Sequence, residues 1–408
     1  MNIVGIIAEF NPLHKGHEYL LREARQRAEG GIVCVMSGSV TQRGEVAIID
    51  KWRRGEMAVR CGADLAIELP TAFVLGSAQT FALGGVTLLK RLGPVTHIAF
   101  GSEFDDGKIL EDTARLLGLK ETQEKIREKI LVGHAYGAAV REIIASTPIG
   151  TPRPNTVLAL EYLRCAREIA PELIPVIIKR RGAYLSRNIS GEFTGARALR
   201  ELLRREKSLA PLQKFLPYPA LPLWPDSDEW ADDENLFRAF LAKLIVLRAS
   251  DAASFIGVGE GLEHRLLREA AFSHSREDLL RRLRSKRYAG GRLSRAMLGI
   301  LLRFTQKEQN EFSSVGPLYA RVLAFNAAGR EILRRIKQKS ALPIITKVTP
   351  HLNQRDFRQA KRPLTPLQKM LRLDLRATLI QGAAMSRPSL APKDYLVSPS
   401  FVKSDYST

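Results

Sequence analysis

Two histidines, His14 and His17, bracket Lys15 and Gly16 at the point where an apolar run gives way to a helical pattern. At the start of a helix, a spacing of three residues places both imidazoles on one side. Gly16 lets the chain come close to a ligand, and a helix N-terminus attracts anions. Imidazole N–H donors there can stabilise negative charge on a departing pyrophosphate without any covalent step. The pattern predicts a phosphate-binding turn with His14 and His17 as its catalytic groups.

A purely structural role is the alternative for these two histidines, because a histidine pair can simply cap a helix or pack in a core. A zinc site would need a third ligand at a suitable spacing. The remaining histidines offer none, and they are His97, His134, His264, His274 and His351. We therefore predict phosphate contacts and no metal ligand at this turn.

Short apolar runs alternate with amphipathic stretches through the first 200 residues, which is typical of a parallel α/β sheet. The predicted strands are 2–10, 31–38, 64–70, 96–102 and 175–180, and the predicted helices are 16–28, 50–61, 76–92, 108–118, 121–132 and 154–170. Ligands bind beyond the carboxyl ends of the strands in such sheets. The histidine turn follows the first strand directly, so it lies at the expected site.

The second half of the chain is helical and basic. The net charge is +20 over 408 residues, and residues 301–408 hold 19 Lys and Arg against 7 Asp and Glu. Segregated positive charge favours a polyanionic partner such as nucleic acid. A proline-rich acidic connector at 216–234 is the clearest loop. We predict a catalytic domain at 1–195 and a helical, basic domain at 196–408 that binds a long polyanion such as nucleic acid.

Compartment and membrane association follow from composition. No stretch approaches the roughly 20 apolar residues of a membrane span. The N-terminus has no basic region or cleavage site of a signal peptide, and Cys34, Cys61 and Cys165 have no metal spacing. These features predict a cytoplasmic protein without membrane contact.

Several long motifs carry a family resemblance. "FNPLHKGH" resembles the signature of the HIGH-type nucleotidyltransferases. The stretches 35–70, 100–103, 153–164 and 177–185 closely resemble the bacterial tRNA(Met) cytidine acetate ligase family, and so do "MLRLDLRATLIQGAA" and "DYLVSPSF" near the end. The resemblance covers nearly the whole chain. It implies a Rossmann-like nucleotidyltransferase domain of HUP type followed by a mainly α-helical domain.

The resemblance also implies an activity and a site. The family forms acetyl-adenylate from acetate and ATP, then acetylates N4 of the wobble cytidine of elongator tRNA(Met). The basic domain at 196–408 would then bind the tRNA, with the runs 334–340 and 353–363 gripping its backbone, although solvated helix faces are the alternative for these runs. The carried-over nucleotide-binding positions are Ile7, Ala8, Glu9, Phe10, Asn11, Pro12, Leu13, His14, Lys15, Gly16, His17, Glu18, Tyr19, Leu20, Gly101, Asn155 and Arg180. For Asn155 a helix cap is the alternative, and Arg181 is the alternative to Arg180. Mg²⁺ is expected with ATP, although no ligand is predicted.

Two polar stretches near the strand ends are open to more than one interpretation. The resemblance makes Ser37, Gln42, Arg43 and Gly44 part of the substrate pocket, although an ordinary polar loop has the same composition. Asp64 and Glu68 either help to hold a metal or brace the strand ends.

The stretch 193–201 departs from the family pattern. Thr194 is present and Arg200 takes the final arginine place, but Gly195 and Arg197 stand where the family usually has hydroxyl residues. The guanidinium of Arg197 and nearby backbone amides can replace the lost donors. Two alternatives to the acetate ligase remain open. A small-molecule adenylyltransferase would account for the first 200 residues but not for the basic C-terminal part, and a non-catalytic RNA-binding protein on the same scaffold is favoured by this departure.

Overall fold

The computed structural model describes residues 2–134, 136–181 and 194–403. Its eight strands are β1 (Asn2–Ala8), β2 (Gly30–Ser37), β3 (Leu65–Leu69), β4 (His97–Ser102), β5 (Ile174–Lys179), β6 (Ala320–Phe325), β7 (Ile344–Ile345) and β8 (Ser400–Phe401). The five predicted strands are confirmed, each within two residues at either end. The strands β6 to β8, in the half expected to be helical, were not predicted. Within the motifs quoted above, residues 182–185 and Phe193 lie outside the described ranges.

Helices connect and cover the strands. They are α1 (Lys15–Ala28), α2 (Lys51–Arg60), α3 (Thr71–Val74), α4 (Ala78–Leu92), α5 (Gly107–Gly118), α6 (Lys120–Leu131), α7 (Tyr136–Ala145), α8 (Pro154–Ile169), α9 (Ala196–Glu206), α10 (Asp233–Ile245), α11 (Ala249–Ala252), α12 (Leu262–Ala270), α13 (Arg276–Leu283), α14 (Gly290–Leu302), α15 (Gln306–Val315), α16 (Ala327–Lys339), α17 (Gln354–Gln359), α18 (Pro366–Ala383) and α19 (Lys393–Leu396). In the described residues, a 3₁₀ turn at Ala210–Phe215 precedes the proline-rich connector, and two more, at Tyr218–Leu223 and Ser227–Glu229, lie within it. Within the described ranges, no helix has both the length and the apolar character that crossing a membrane requires.

The strands form one sheet in the order β5-β4-β1-β2-β3-β6-β7, with β8 also paired to β6. The first five strands are parallel, and β6 joins β3 in the antiparallel sense. From β1 the chain proceeds outward through β2 and β3, then returns to place β4 on the other side of β1. This reversal opens a crevice beyond the carboxyl ends of β1 and β4.

Three apolar cores surround this sheet. One face is covered by α4, α5 and α8, and the other by α1, α2 and α9. The third core lies among α10 to α14. The predicted fold class, a Rossmann-like parallel sheet followed by a helical region, is confirmed. The division after residue 195 stays a prediction, and the sheet itself takes strands from both sides of it.

Four buried charged side chains join distant parts of the chain, and we call them the Lys51 cluster: Lys51, Glu68, Arg321 and Asp394. The Lys51 Nζ lies 2.8 Å from Glu68 Oε1 and 2.8 Å from Asp394 Oδ1. Arg321 Nη1 lies 3.2 Å from Glu68 Oε2 and also pairs with Asp394. The two positive and two negative groups balance. The cluster therefore ties α2, β3, β6 and α19 together with no net buried charge.

The Lys51 cluster predicts an asymmetric response to mutation. Lys51→Met leaves two buried carboxylates with one cation, which costs about 3–5 kcal/mol of unfolding free energy. Lys51→Met/Glu68→Leu removes one charge of each sign, so we expect it to recover part of the loss. Urea denaturation of both variants measures this, with exposed Lys120→Met as the control. A loss below about 1 kcal/mol in the single variant contradicts the prediction.

Candidate functional site

A cleft of about 220 Å³ lies at the crevice between β1 and β4. Of the predicted nucleotide-binding residues, those lining it are Ile7, Ala8, Glu9, Phe10, Asn11, His14, His17, Leu20, Gly101, Asn155 and Arg180. The others do not line it and belong to the surrounding turn and helix: Pro12, Leu13, Lys15, Gly16, Glu18 and Tyr19. The structure therefore brings together four segments that are far apart in sequence.

The two histidines form a reciprocal cap at the start of α1. The Nδ1 of His14 accepts a hydrogen bond from the Gly16 N–H at 3.0 Å, and the Nδ1 of His17 accepts one from the His14 N–H at 3.3 Å. Their rings stack with centroids 3.9 Å apart. The sequence left open whether these histidines contact phosphate or only cap the helix. In the structure they cap α1 and also line the cleft.

This cap decides where each imidazole carries its proton. Because Nδ1 accepts a backbone hydrogen bond, a neutral ring must hold its hydrogen on Nε2. Burial, followed by the nearby charge of Arg180, lowers the pKa of His17 from 6.5 to about 3. Burial also places the pKa of His14 well below its usual value, with His17, Arg180 and Arg200 adding to the effect. Both rings are therefore neutral N–H donors near neutral pH.

The lowered pKa of His17 predicts an acid-sensitive contribution to stability. The neutral ring stabilises the fold fully above pH 6.5, and this contribution is lost as the pH falls from 6.5 towards 3. Between pH 7 and pH 5 we expect wild type to lose about 2 kcal/mol more unfolding free energy than His17→Gln. Urea denaturation at the two pH values tests this. His264→Gln, at an exposed histidine, serves as the control, and equal pH dependence in wild type and His17→Gln would contradict it.

The ends of β4 and β5 supply Gly101 and Arg180. A Cβ atom on Gly101 would lie 3.1 Å from the Arg180 Cγ, so glycine lets the arginine stem cross the strand end closely. Arg180 lines the cleft, whereas the guanidinium of Arg181 stacks over the Tyr19 ring at 4.4 Å from its centroid. Of the two arginines considered from the sequence, Arg180 is the one placed at the cleft.

A carboxylate from the loop after β4 holds the start of α8. Glu103 accepts hydrogen bonds from the backbone N–H of Thr156 at 2.8 Å and from its hydroxyl at 2.9 Å. The Asn155 side-chain amide donates to the same carboxylate. Arg153, and not Asn155, is the N-cap residue of α8. The side chain of Asn155 is thus fixed at the cleft by Glu103.

The carbonyl groups at the ends of β1 and β2 converge on Arg54, a residue that sequence reasoning missed. Its guanidinium is fully buried and donates to the carbonyl oxygen of Glu9 at 2.7 Å, of Ser37 at 3.1 Å and of Ile49 at 3.1 Å, and also to that of Gly38. A planar group with five donors suits several carbonyls at once. The sequence did contain a signal for this role. Arg54 comes three residues after Lys51, so both cations lie on the otherwise apolar face of α2.

We expect Arg54→Lys to destabilise the protein although it conserves the charge. An ammonium group cannot reach the same set of carbonyl oxygens, and losing charged hydrogen bonds costs about 1.5–3 kcal/mol. Urea denaturation of Arg54→Lys measures the loss. Arg60→Lys, in the same helix but exposed, provides the matched control. An equal effect in the two variants would rule out the carbonyl contacts as the cause.

The segment that departs from the family pattern borders the cleft. Gly195 is the N-cap residue of α9, and Arg200 donates to the Asn11 carbonyl oxygen at 2.8 Å and pairs with Glu45 at 3.1 Å. The exposed side chain of Arg197 pairs with Glu201. Arg200 therefore contacts the histidine turn, and Gly195 and Arg197, which stand in place of two hydroxyl residues, line the cleft.

The loop after β2 contributes only part of its predicted residues. Gln42 and Arg43 line the cleft, but Ser37 and Gly44 do not. Ser37 is buried at the end of β2, and the carbonyl oxygen of Gly44 accepts from Arg276 at 3.3 Å on the helical side. The prediction that Ser37 and Gly44 line the pocket is therefore wrong. Both residues are held through their backbone carbonyl oxygens, which accept hydrogen bonds from arginines.

One wall of the cleft was not predicted at all. We call it the α4/α8 wall, formed by Ala78, Phe81, Leu158 and Tyr162. The opposite α1/α9 wall carries His14, His17, Arg197 and Arg200. The apolar residues of the first wall have helical spacing and read from sequence as core. Only the packing of α4 against α8 brings them to the strand ends.

The two carboxylates considered for a metal are bound by the protein itself. Asp64 Oδ2 accepts from the Ile32 N–H and from Arg25, each at 2.7 Å, and Glu68 belongs to the Lys51 cluster. Both side chains brace strand ends. Among the residues that the structure describes, no three metal-binding side chains are grouped so that they could hold a metal ion.

Comparisons with known proteins agree with this geometry. Residues 1–394 match the model of the HIGH Nucleotidyl Transferase family. The tRNA(Met) cytidine acetate ligase of Syntrophomonas wolfei is 34% identical, with 98% of this chain and 99% of that protein aligned. The protein of the same name from a Thermoanaerobacter species is 36% identical, with 97% and 98% aligned.

Solved structures are similar over the whole chain. Thermotoga maritima TmcAL bound with alpha-thio ATP has a TM-score of 0.85 and 28% identity, and the match covers 99% of this chain and 100% of that one. The apo form of the same protein has a TM-score of 0.87 at 29% identity over the same shares.

Proposed function

Because the chain belongs to the tRNA(Met) cytidine acetate ligase family of HIGH nucleotidyl transferases, we propose that it activates acetate with ATP and acetylates a tRNA. The acceptor is N4 of the wobble cytidine of elongator tRNA(Met), and the products are N4-acetylcytidine, AMP and pyrophosphate. The relatives carry the name of this activity, and the Thermotoga maritima protein was solved with an ATP analogue.

The first step is an in-line displacement at the α-phosphorus. An acetate oxygen forms the new bond, the bond to pyrophosphate breaks, and acetyl-adenylate results. Such a step needs positioning and charge stabilisation more than covalent help from the protein. His14, His17, Arg180 and the N-terminus of α9 are the groups placed to contact the phosphates.

One observation carries the proposal: two neutral imidazoles at a helix N-terminus both keep Nδ1 turned to the backbone and Nε2–H available. A neutral donor stabilises negative charge as it develops and does not trap the anion beforehand. The surrounding guanidinium groups supply the net positive charge. Neutral imidazole donors together with positively charged guanidinium groups suit a leaving pyrophosphate.

In this proposal Mg²⁺ is the ion that accompanies ATP. The metal prefers phosphate oxygens, water and one or two carboxylates. Glu9 is the carboxylate at the described cleft, and one of its oxygens already accepts from the Gln42 N–H at 2.6 Å. The described residues at the cleft therefore do not form a set of protein ligands for Mg²⁺. None of the proposed steps depends on the metal.

The tRNA surface is best placed beside α13 and α14. The last turn of α13 and the segment after it expose four cations, Arg281, Arg284, Lys286 and Arg287. The same helices contact the cleft loop, because Arg295 donates to the Gln42 carbonyl oxygen at 3.1 Å. Cations near the cleft suit a phosphate backbone that delivers a splayed-out base.

The basic run 334–340, expected from sequence to grip tRNA, lies elsewhere. Ser340 donates to the carbonyl oxygen of Arg91 at the C-terminal end of α4, and Asn326, before α16, binds Asp64 at the start of β3. Both contacts are at the edge of the sheet opposite the cleft. The run 353–363 stays a prediction for tRNA contact.

Isotope exchange between pyrophosphate and ATP tests the proposed function. We expect exchange that requires acetate, and we expect His17→Ala to lower its rate at least about 100-fold, as for other donors to developing charge. His264→Ala should exchange like wild type. Exchange without acetate would favour a different acid, and no exchange with acetate and tRNA present would reject the proposed activation step.

A further inference from the structure

The α4/α8 wall has no role in the phosphate contacts proposed above. Ile7 of β1 faces α4, since a Cβ on Gly85 would lie 2.5 Å from its Cδ1. Glu9 follows two residues later at the cleft, and Tyr162 of α8 lines the same side. Burial, and after it the charge of Glu9, raises the pKa of the Tyr162 hydroxyl, and both side chains line the one cleft. Glu9, after the end of β1, and the Tyr162 hydroxyl are thus polar groups beside the apolar residues of the α4/α8 wall.

The Tyr162 hydroxyl is a donor without a use inside the fold. The side chain is 3% exposed, its ring packs near Phe100, and its oxygen has no hydrogen-bond partner among the residues that the structure describes. A buried hydroxyl left unsatisfied costs about 1–3 kcal/mol. A bound molecule that presents an acceptor at this point regains that free energy.

The carboxylate of Glu9 is held by a backbone contact. Its Oε1 accepts from the Gln42 N–H at 2.6 Å, and Arg295 in turn fixes Gln42 by donating to the Gln42 carbonyl oxygen. Arg200 donates to the carbonyl oxygen of Asn11 at 2.8 Å, and Asn11 lies between Glu9 and His14 in the same turn. Glu9 and Arg200 both line the cleft, so Glu9 lies beside the proposed phosphate contacts.

We propose that Glu9 and Tyr162 bind the amino edge of the cytosine that accepts the acetyl group, and that Glu9 takes a proton from its N4 amine. This rests on the proposed function. The edge presents an N4–H donor to the carboxylate, and the N3 or O2 acceptor to the hydroxyl. Adenine has a similar donor and acceptor pair, but its ribose separates it from the α-phosphate. The position of Glu9 near Arg200 favours cytosine.

The transfer step balances with these groups alone. The cytidine N4 attacks the acetyl carbonyl carbon, the C–N bond forms, and the C–O bond to AMP breaks. The amine proton passes to the Glu9 carboxylate, which later releases it to solvent, and AMP leaves as the anion. Burial raises the pKa of Glu9, which makes its carboxylate a stronger base for this proton.

Measuring the two half-reactions separately tests the assignment. Acetate-dependent pyrophosphate exchange reports activation, and single-turnover acetylation of tRNA from supplied acetyl-adenylate reports transfer. The variants are Glu9→Gln, Glu9→Asp and Tyr162→Phe. Tyr136→Phe is the matched control, because that hydroxyl donates to Glu161 at 3.0 Å from beside the same helix but does not line the cleft.

We expect Glu9→Gln to slow transfer about 100-fold and Tyr162→Phe about 10-fold, and each variant to slow exchange much less than it slows transfer. Glu9→Asp should restore part of the transfer rate, and Glu9→Gln should flatten the acidic limb of its pH profile. Exchange that falls as far as transfer would assign the pair to adenine and overturn the proposal, as would unchanged transfer. A wild type inactive in both assays would reject the proposed function itself.

Discussion

A balanced group of four buried charges holds the two ends of this chain together. Lys51 and Glu68 come from the first 70 residues, whereas Arg321 and Asp394 come from the last 90. An isolated charge in such a place would be very costly, but two cations and two carboxylates in contact offset one another. The antiparallel strand β6 and the helix α19 are fixed to β3 by these contacts. The C-terminal segment is thereby part of the catalytic sheet.

Charged side chains also shape the edge of the sheet where the cleft lies. Arg54 gathers the carbonyl oxygens at the ends of β1 and β2, Glu103 holds the start of α8, and Arg200 holds the Asn11 carbonyl. Each of these backbone groups lies beyond regular pairing and would otherwise be unsatisfied. A site built in this way is ordered before any ligand binds, which reduces the reorganisation that a reaction must overcome.

The two walls of the cleft differ in charge and polarity. On the α1/α9 wall, guanidinium groups carry the positive charge while the two imidazoles stay neutral and donate through Nε2. The α4/α8 wall is apolar apart from the Tyr162 hydroxyl, and the Glu9 carboxylate lines the same cleft. The first arrangement suits phosphates, and the second suits an uncharged, planar base. Gly101 and Arg180, at the strand ends, also line the cleft.

Local patterns were enough for much of this architecture. The five parallel strands, the helix after the first of them and the position of His14 and His17 follow from apolar periodicity and capping chemistry, since these depend on residues close in sequence. The long motifs also identified the family. The same patterns were silent on β6, which lies among helices in sequence and pairs with a strand some 250 residues earlier.

Long-range packing decided the rest of the site. Arg54, Tyr162 and Arg295 look like ordinary helix residues in sequence, because nothing nearby shows that their partners are strand-end carbonyls or a cleft. The family resemblance assigned Ser37 and Gly44 to the substrate pocket, but neither lines the cleft, and their carbonyl oxygens accept from Arg54 and Arg276. The sequence alone specifies which local elements form and which turn can bind phosphate. Which side chains complete the opposite wall depends on contacts between distant segments, and these exist only once the sheet has assembled.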